Sequence, residues 1–561
     1  MLSTSSKSKQ VVEPCLAPPF PGENSGGFFS AKKFSLLFFA VFICSLVHAQ
    51  SCTPATAFDY LDINNVKARI NNGGDMWWDL IGTAKYVVPK TGNVSSLFAG
   101  ALWIGGLDAQ GNLHVAAQTY RQNGNDFFPG PLDVSGNVNL QTCNNFDQIW
   151  KVNKSTIDSF TAGLFASPPP SISQWPGRNN PNLGFSADQQ LAPFIDMNGD
   201  EFYNPDDGDY PAIPGDQALW FVMNDMGNTH TETGGSPLGI EVQCLVYGFK
   251  DSSACTYSTT FYHYKIINKS YNDYDSIYMG LWTDPDLGCY TDDYAGCDSA
   301  NNLGIIYNST EVDANSCPDN YGNQPPILGI QLLKGPTDES GVVHYMDYCM
   351  LYLNDFSLYG NPENAAQYYQ YLKSVYKQGD HLVNPLTNDI TNYAFPSDPT
   401  DVNGWSMCAE NSLPSDFRII VSSGPVILKA GGKQTLDYAV VWDNTSVYPC
   451  PSYSTLIDVA NCAKESFDSD IVFTSSGNLI SANDRMNVFP NPVAISSVIN
   501  FSGKNFSRVE IFDLAGKKFF DAEAKKNDVL KVNSDRLGKG LFIYRITFND
   551  HSSQSGKLVV Q

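Results

Sequence analysis

Short runs of β-branched and aromatic residues, bounded by Gly, Pro, Asn or Asp, recur through most of this chain. "DQALWFVMND" (216–225), "GIEVQCLVYGFK" (239–250) and "STTFYHYKIINKS" (258–270) follow one another, with period-two stretches and strand-like lengths. "SSLFAGALWIGG" (95–106) and "NLHVAAQTYRQ" (112–122) are parted by Asp-Ala-Gln-Gly, a hairpin-like break. "FRIIVSSGPVILKAGGKQTLDYAVVWDN" (417–444) reads as three strands joined by Gly-containing turns. The pattern predicts a mainly β, sandwich-like body over residues 50–464. One helix is expected in it, "NPENAAQYYQYLKSVYKQGD" (361–380), capped by Asn361, with Pro362 in the first turn and stopped at Gly379. Its Tyr and Leu positions repeat at three and four and are expected to face a core.

At 561 residues the chain exceeds one ordinary domain, and 42% hydrophobic with 13% aromatic residues supply cores. That composition excludes a disordered acidic chain. The net charge of −24 repels phosphate backbones, so nucleic acid is excluded as a partner and cations are favoured.

Residues 1–49 read as a signal peptide with a long n-region. Lys32 and Lys33 precede "FSLLFFAVFICSLVHA", a run too short to span a bilayer comfortably, and Ala49 suits signal peptidase. Removing them takes away four Lys and two Glu and leaves a charge of −26. Of 13 cysteines, all but Cys15 and Cys44 remain, an odd number for an exported chain. Disulfides are expected, with at least one thiol left over; the spacings of Cys244 and Cys255, Cys289 and Cys297, and Cys450 and Cys462 allow short loops, and the sequence leaves the connectivity open. No CxxC pair points to zinc. "ESFDSDIVFTSSGNLISANDRM" (465–486) reads as a polar linker.

"DMNGDEFYNPDD" (196–207) places oxygen donors at positions 1, 3, 5, 9 and 12: Asp196, Asn198, Asp200, Asn204 and Asp207, with the carbonyl of Phe202 at position 7. Ligands on alternate residues of a tight loop converge on one hard cation, and the spacing resembles EF-hand-type and dockerin calcium loops. It departs from them with Glu201 where Gly is usual and Asp closing the loop. The flanking prolines argue for a helix-free loop that pins strands, and calcium is the expected ion; the alternative is a plain Asx-rich turn. "DPDLGCYTDDYAGCD" (284–298) crowds Asp284, Asp286, Asp292, Asp293 and Asp298. It is a candidate second cation site, a carboxylate pair for glycoside hydrolysis, or a solvated disulfide-braced loop. His230 and Glu232, two apart, read as a metal or acid–base pair or as a hydrogen-bonded pair inside the fold. Trp77, Trp78 and Trp103 offer faces for glycans, against the alternative of core packing. No HExxH, GxSxG, Walker or dinucleotide motif is present.

The last 75 residues repeat strand-like runs: "SVINFS" (497–502), "RVEIFDL" (508–514), "DVLKVNS" (528–534), "GLFIYRITF" (540–548) and "GKLVVQ" (556–561), a small immunoglobulin-like β-sandwich. "VFPNP" (488–492), "VEIFDLAGK" (509–517), "GLFIYRI" (540–546) and "KLVVQ" (557–561) together resemble, in order and spacing, the C-terminal sorting domain of the type IX secretion system of Bacteroidota. The resemblance implies passage through the periplasm and outer-membrane transport by the type IX translocon. The cargo is then released or tied to a surface lipopolysaccharide. It also implies that Pro490, Asn491, Pro492, Gly516, Gly540, Lys557, Leu558, Val559, Val560 and Gln561 belong to the sorting signal. The body, through "ALWIGGLD" (101–108), "GDQALWFVMNDMGNTHTETGGSPLGIEVQ" (215–243), "DPDLG" (284–288) and "SSGPVIL" (422–428), resembles secreted Bacteroidota proteins carrying this tail, a similarity that brings no activity with it. The expected function is a secreted or surface structural, adhesion-type protein stabilised by calcium. The alternatives are a polysaccharide-acting hydrolase and a non-catalytic carbohydrate-binding protein.

Overall fold

The computed structural model describes residues 51–122, 124–313, 317–469, 487–489, 493–495, 498–502, 506–513, 517–523, 529–548 and 553–560. The expected leader (1–49) and residues 470–486 of the expected linker lie outside the described residues.

The body is built on two large antiparallel sheets. The first has ten strands, with Tyr348–Leu353, Phe417–Leu428, Tyr274–Asp284 and Ala99–Leu107 side by side in its wide half. The second has nine, running Asp293–Asp298, Leu303–Asn308, Ile327–Lys334, Lys433–Asp443, Thr260–Asn268, Ile240–Gly248 and Gln217–Asn224, with short strands beyond. The apolar runs read from the sequence are these strands, because both faces of the central ones are covered. Along Ala99–Leu107, Leu102 and Ile104 face the core shared by the two sheets, while Ala101 and Trp103 face a second core on the other side. Hydrogen bonds also cross the shared core: Trp77 Nε1 donates to Tyr262 Oη at 2.9 Å and the Leu281 amide donates to Tyr438 Oη at 3.0 Å. Gly304 marks a close approach, where an added Cβ would lie 2.7 Å from both Ile419 and Val421 of the opposite sheet.

The second core is closed by a helix shorter than the sequence predicts. It spans Ala365–Tyr371 and is capped by Asn364, not Asn361. Asn361 is occupied elsewhere, its backbone carbonyl accepting from Lys377 Nζ at 3.1 Å and its side-chain Nδ2 donating to Asn354 Oδ1 at 3.0 Å. The chain leaves the helix at Ser374, whose φ is 53°, and Gly379 serves a later turn. Tyr368, Tyr369 and Tyr371 do face the core.

The expectation of a single helix is also corrected. Leu140–Phe146, Lys154–Thr161, Pro170–Ser173, Met407–Glu410 and Ser454–Ser469 are helical too. The last buries Leu456, Ala460 and Ala463 and runs through the start of the expected linker at Glu465.

Among the described residues five disulfides form, none of them between the cysteines spaced for short loops: Cys52–Cys143, Cys255–Cys462, Cys289–Cys317, Cys297–Cys349 and Cys408–Cys450. Proximity along the chain is overridden by topology, since Cys244 lies on a central strand facing the shared core. It is the leftover thiol that the odd count implies.

The tail forms a three-stranded sheet (Asn487–Phe489, Val498–Ser502, Val529–Asn533) and a four-stranded one (Lys518–Glu523, Phe506–Asp513, Gly540–Phe548, Ser553–Val560). Its core holds Ile499, Phe501, Val509, Ile511, Ile546, Leu558 and Val560. The last strand pairs Gly540 with Val560, Leu541 with Val559, Phe542 with Leu558 and Ile543 with Lys557. Pro490, Asn491, Pro492, Gly516 and Gln561 lie outside the described residues.

Candidate cation sites

The 196–207 loop has no helix on its flanks, but it is not wholly helix-free, since Pro205–Asp207 forms a short 3-10 turn capped by Asn204; the loop joins the two-stranded ladder of Phe194–Ile195 and Tyr210–Pro211. Its side chains hold the loop's own backbone. Asp196 accepts from the Gly199 amide at 2.7 Å and from the Glu201 amide at 2.8 Å. Asn198 Oδ1 accepts from the Asp200 amide, and Asp200 Oδ1 from the Phe202 amide. Asp207 Oδ2 accepts from the side-chain amide of Asn204 at 2.7 Å and more distantly from that of Asn198. Glu201 adopts φ 68°, the conformation that Gly supplies in calcium loops of this spacing. Buried Asp209, two residues past the expected loop, ties its ends by accepting from the Met197 and Asn204 amides, both at 2.8 Å. Burial raises its pKa despite those bonds.

The 284–298 stretch behaves differently. The chain leaves the first sheet at Asp284, crosses through 285–292, and enters the second sheet at Asp293. Two acidic groups flank this crossover. In the first, one oxygen from each of Asp284, Asp286 and Asp416 lies within 4.8 Å of the others. Arg418 partly neutralises it, at 2.7 Å from Asp284 and paired with Asp416, while Tyr120 Oη donates to Asp284 at 2.6 Å. Burial pushes the Asp284 carboxyl up against the pull of Arg418, and burial followed by the charge of Asp284 pushes Asp286 well up.

In the second group, oxygens of Asp292 and Asp313 and the Cys289 sulfur lie within 4.8 Å of one another. That sulfur is in a disulfide, so it is no thiolate ligand. Asp313 accepts from the Cys289 amide at 3.0 Å and from the Tyr321 amide. Asp293, 3% exposed, accepts from the Leu287 amide at 3.0 Å.

Asp298 belongs to neither group. It ends the strand that Asp293 begins, about 16 Å away, and accepts from the Ala300 amide and the Asn301 side chain in a turn of its own. Asp313 and Asp416 were not legible as partners, because they arrive from segments distant in the sequence.

His230 and Glu232 do not act on each other. Each His230 ring nitrogen faces a backbone carbonyl at 2.8 Å, Val115 and Asp225, so both contacts are hydrogen bonds only when both nitrogens carry protons. The buried carboxylates of Asp126 and Asp225 stand 3.5 and 4.0 Å from the ring. Glu232 instead accepts from Thr119 and from Tyr368 at 3.2 Å. Burial raises its pKa to about 7. Trp77, Trp78 and Trp103 are each 0% exposed, so they are core residues and present no face to a glycan.

Residues 487–561 match the family described as the secretion system C-terminal sorting domain. They are a type IX sorting tail, and the chain is exported to the cell surface or the medium. No curated protein matches the chain. Among solved structures, one titled a polysaccharide lyase aligns at 10% identity and a TM-score of 0.19. It covers 66% of this chain, which spans 39% of that structure, and a likeness this slight carries no argument.

Proposed function

We propose that this protein is a structural or interaction scaffold of the cell exterior, delivered by its sorting tail and stiffened by calcium in the 196–207 loop. The observation that carries this reading is the tail itself, in which Leu558 and Val560 of the last strand are buried in the small domain's core. Support for the scaffold comes from five disulfides and two sheets whose central strands are covered on both faces. Calcium is supported by the loop's alternating oxygens and by the positive φ of Glu201.

Deleting residues 557–561 removes the edge strand's buried positions and is expected to leave the cargo in the periplasm. Fractionation that finds the truncated chain at the surface defeats the export half of the reading. For the scaffold half, millimolar calcium is expected to raise the melting temperature, with a smaller rise in Asp200→Ala. An identical response in the two proteins makes the loop a plain turn.

The second reading, a polysaccharide-acting hydrolase, rests on the Asp284, Asp286 and Asp416 group, where burial and a neighbouring charge favour a protonated carboxyl beside an ionised one. Product release from a glycan panel that disappears in Asp286→Asn would favour it over the scaffold.

A further inference from the structure

From Ser270 to Leu333 the chain contains no Lys, Arg or His, yet this span supplies most of the carboxylates at the crossover. Arg418, brought in from a distant strand, serves the Asp284 group. Around Asp293 the balance is worse. Burial, and after it the charges of three further carboxylates, Asp292, Asp286 and Asp313, push its pKa well up. Asp293 is 3% exposed and makes no ion pair among the described residues. Its Oδ2 accepts from Leu287, while its Oδ1 has no hydrogen-bond donor.

A second, uncharged acceptor stands unsatisfied beside it. Asn308 is the register partner of Asp293 across the antiparallel pair, which puts the two side chains on one face about 5 Å apart at Cβ. Asn308 is 0% exposed. Its side-chain nitrogen donates to the Thr310 carbonyl at 3.0 Å, and its Oδ1 has no donor. An orphaned amide oxygen at 0% exposure costs the fold unless something positive meets it. Tyr448 stands at the same place: its hydroxyl accepts from the Asn308 amide at 3.1 Å, and burial, with smaller contributions from the charges of Asp293 and Asp313, raises its pKa.

We propose that Asp292, Asp293 and Asp313, with the amide oxygen of Asn308, form a binding site for a hard divalent cation of the calcium class where the chain crosses between the two sheets. Every donor is oxygen, which suits calcium, magnesium or manganese and not zinc or copper. The ion would join the ends of Asp293–Asp298 and Leu303–Asn308 to the loop carrying Asp313, which the Cys289–Cys317 disulfide already ties to the crossover. This deepens the reading that cations brace the fold and involves none of the residues of the 196–207 loop.

The test is equilibrium dialysis with radioactive calcium on the exported chain carrying Asp200→Ala, which disables the loop. That chain is expected to keep one calcium per molecule, and adding Asp293→Asn is expected to remove it. Uptake by the parent equal to that of Asp200→Ala refutes the loop alone. No uptake by Asp200→Ala refutes the crossover site.

Melting curves separate a cation site from a buried protonated carboxyl. Asparagine keeps an oxygen for the Leu287 amide and relieves the crowding of charge. Without calcium, Asp293→Asn is therefore expected to melt no lower than the parent. With calcium at about 10 mM, above the roughly 1 mM constants of weak extracellular sites, the parent is expected to rise by several degrees more than the variant. An equal loss in Asp293→Asn with and without calcium overturns the proposal. Asn308→Ala keeps all three carboxylates and gives a second measurement, an expected loss of calcium affinity of about tenfold or more; unchanged affinity counts against the site.

Discussion

At the scale of single residues, Glu232 shows how burial turns an ordinary carboxyl into a pH-dependent contribution. Its folded-state pKa, about 7, stands above the ordinary 4.5, because burial and the neighbouring Asp126 oppose its ionisation. Between those limits the folded protein holds a proton that the unfolded chain has released. The contribution is therefore fully present below about 4.5 and is lost as pH rises through about 7, an effect on the order of 2–3 kcal/mol. Glu232→Gln keeps an acceptor for Thr119 and Tyr368 and cannot ionise. Urea unfolding at about pH 5 and about pH 8 is expected to show a smaller difference for the variant than for the parent; equal differences defeat the argument. The residue types at 230 and 232 were legible as chemistry-bearing, but their partners were not. Thr119 and Val115 meet them from 113 and 115 residues away in sequence, and spacing along the chain carries no trace of that.

At the scale of elements, strands were legible and helices mostly were not. The runs read at 216–225, 239–250 and 258–270 became Gln217–Asn224, Ile240–Gly248 and Thr260–Asn268, because β-branched and aromatic residues crowd them and most of their positions are buried. The helix Ser454–Ser469 buries only Leu456, Ala460 and Ala463 and shows solvent its Lys464, Glu465 and Asp468 side, so its end, from Glu465 on, read as linker. Such a helix relies on its attachments more than on its composition. One attachment is covalent: Cys462 is joined to Cys255, 207 residues away in sequence. Cys462→Ala is expected to lower stability by about 2–5 kcal/mol, read as a shift in the denaturant midpoint. A loss below about 0.5 kcal/mol would mean that packing alone holds the helix. The cap offers a milder test. Asn364→Ala removes the bond to the Gln367 amide and is expected to cost about 1 kcal/mol, whereas Asn361→Ala leaves the cap intact.

At the scale of the whole molecule, the mainly β class and the export tail could be read directly, since both rest on local patterns. The carboxylate groupings and the disulfide pairs could not, because both depend on which strands the topology makes neighbours. Cys297 sits on the strand that follows the crossover, and its partner Cys349 lies on an edge strand of the other sheet. The Cys255–Cys462 bond also bears on the molecule's fate among the proteases outside a cell. It encloses the loop at 354–360, where Phe356 is 88% exposed. A protease that clips the backbone there severs one strand of a closed circuit. The nicked protein is expected to migrate as a single band on a non-reducing gel and to part into two only when reductant is added, so that damage at this loop leaves the molecule in one piece.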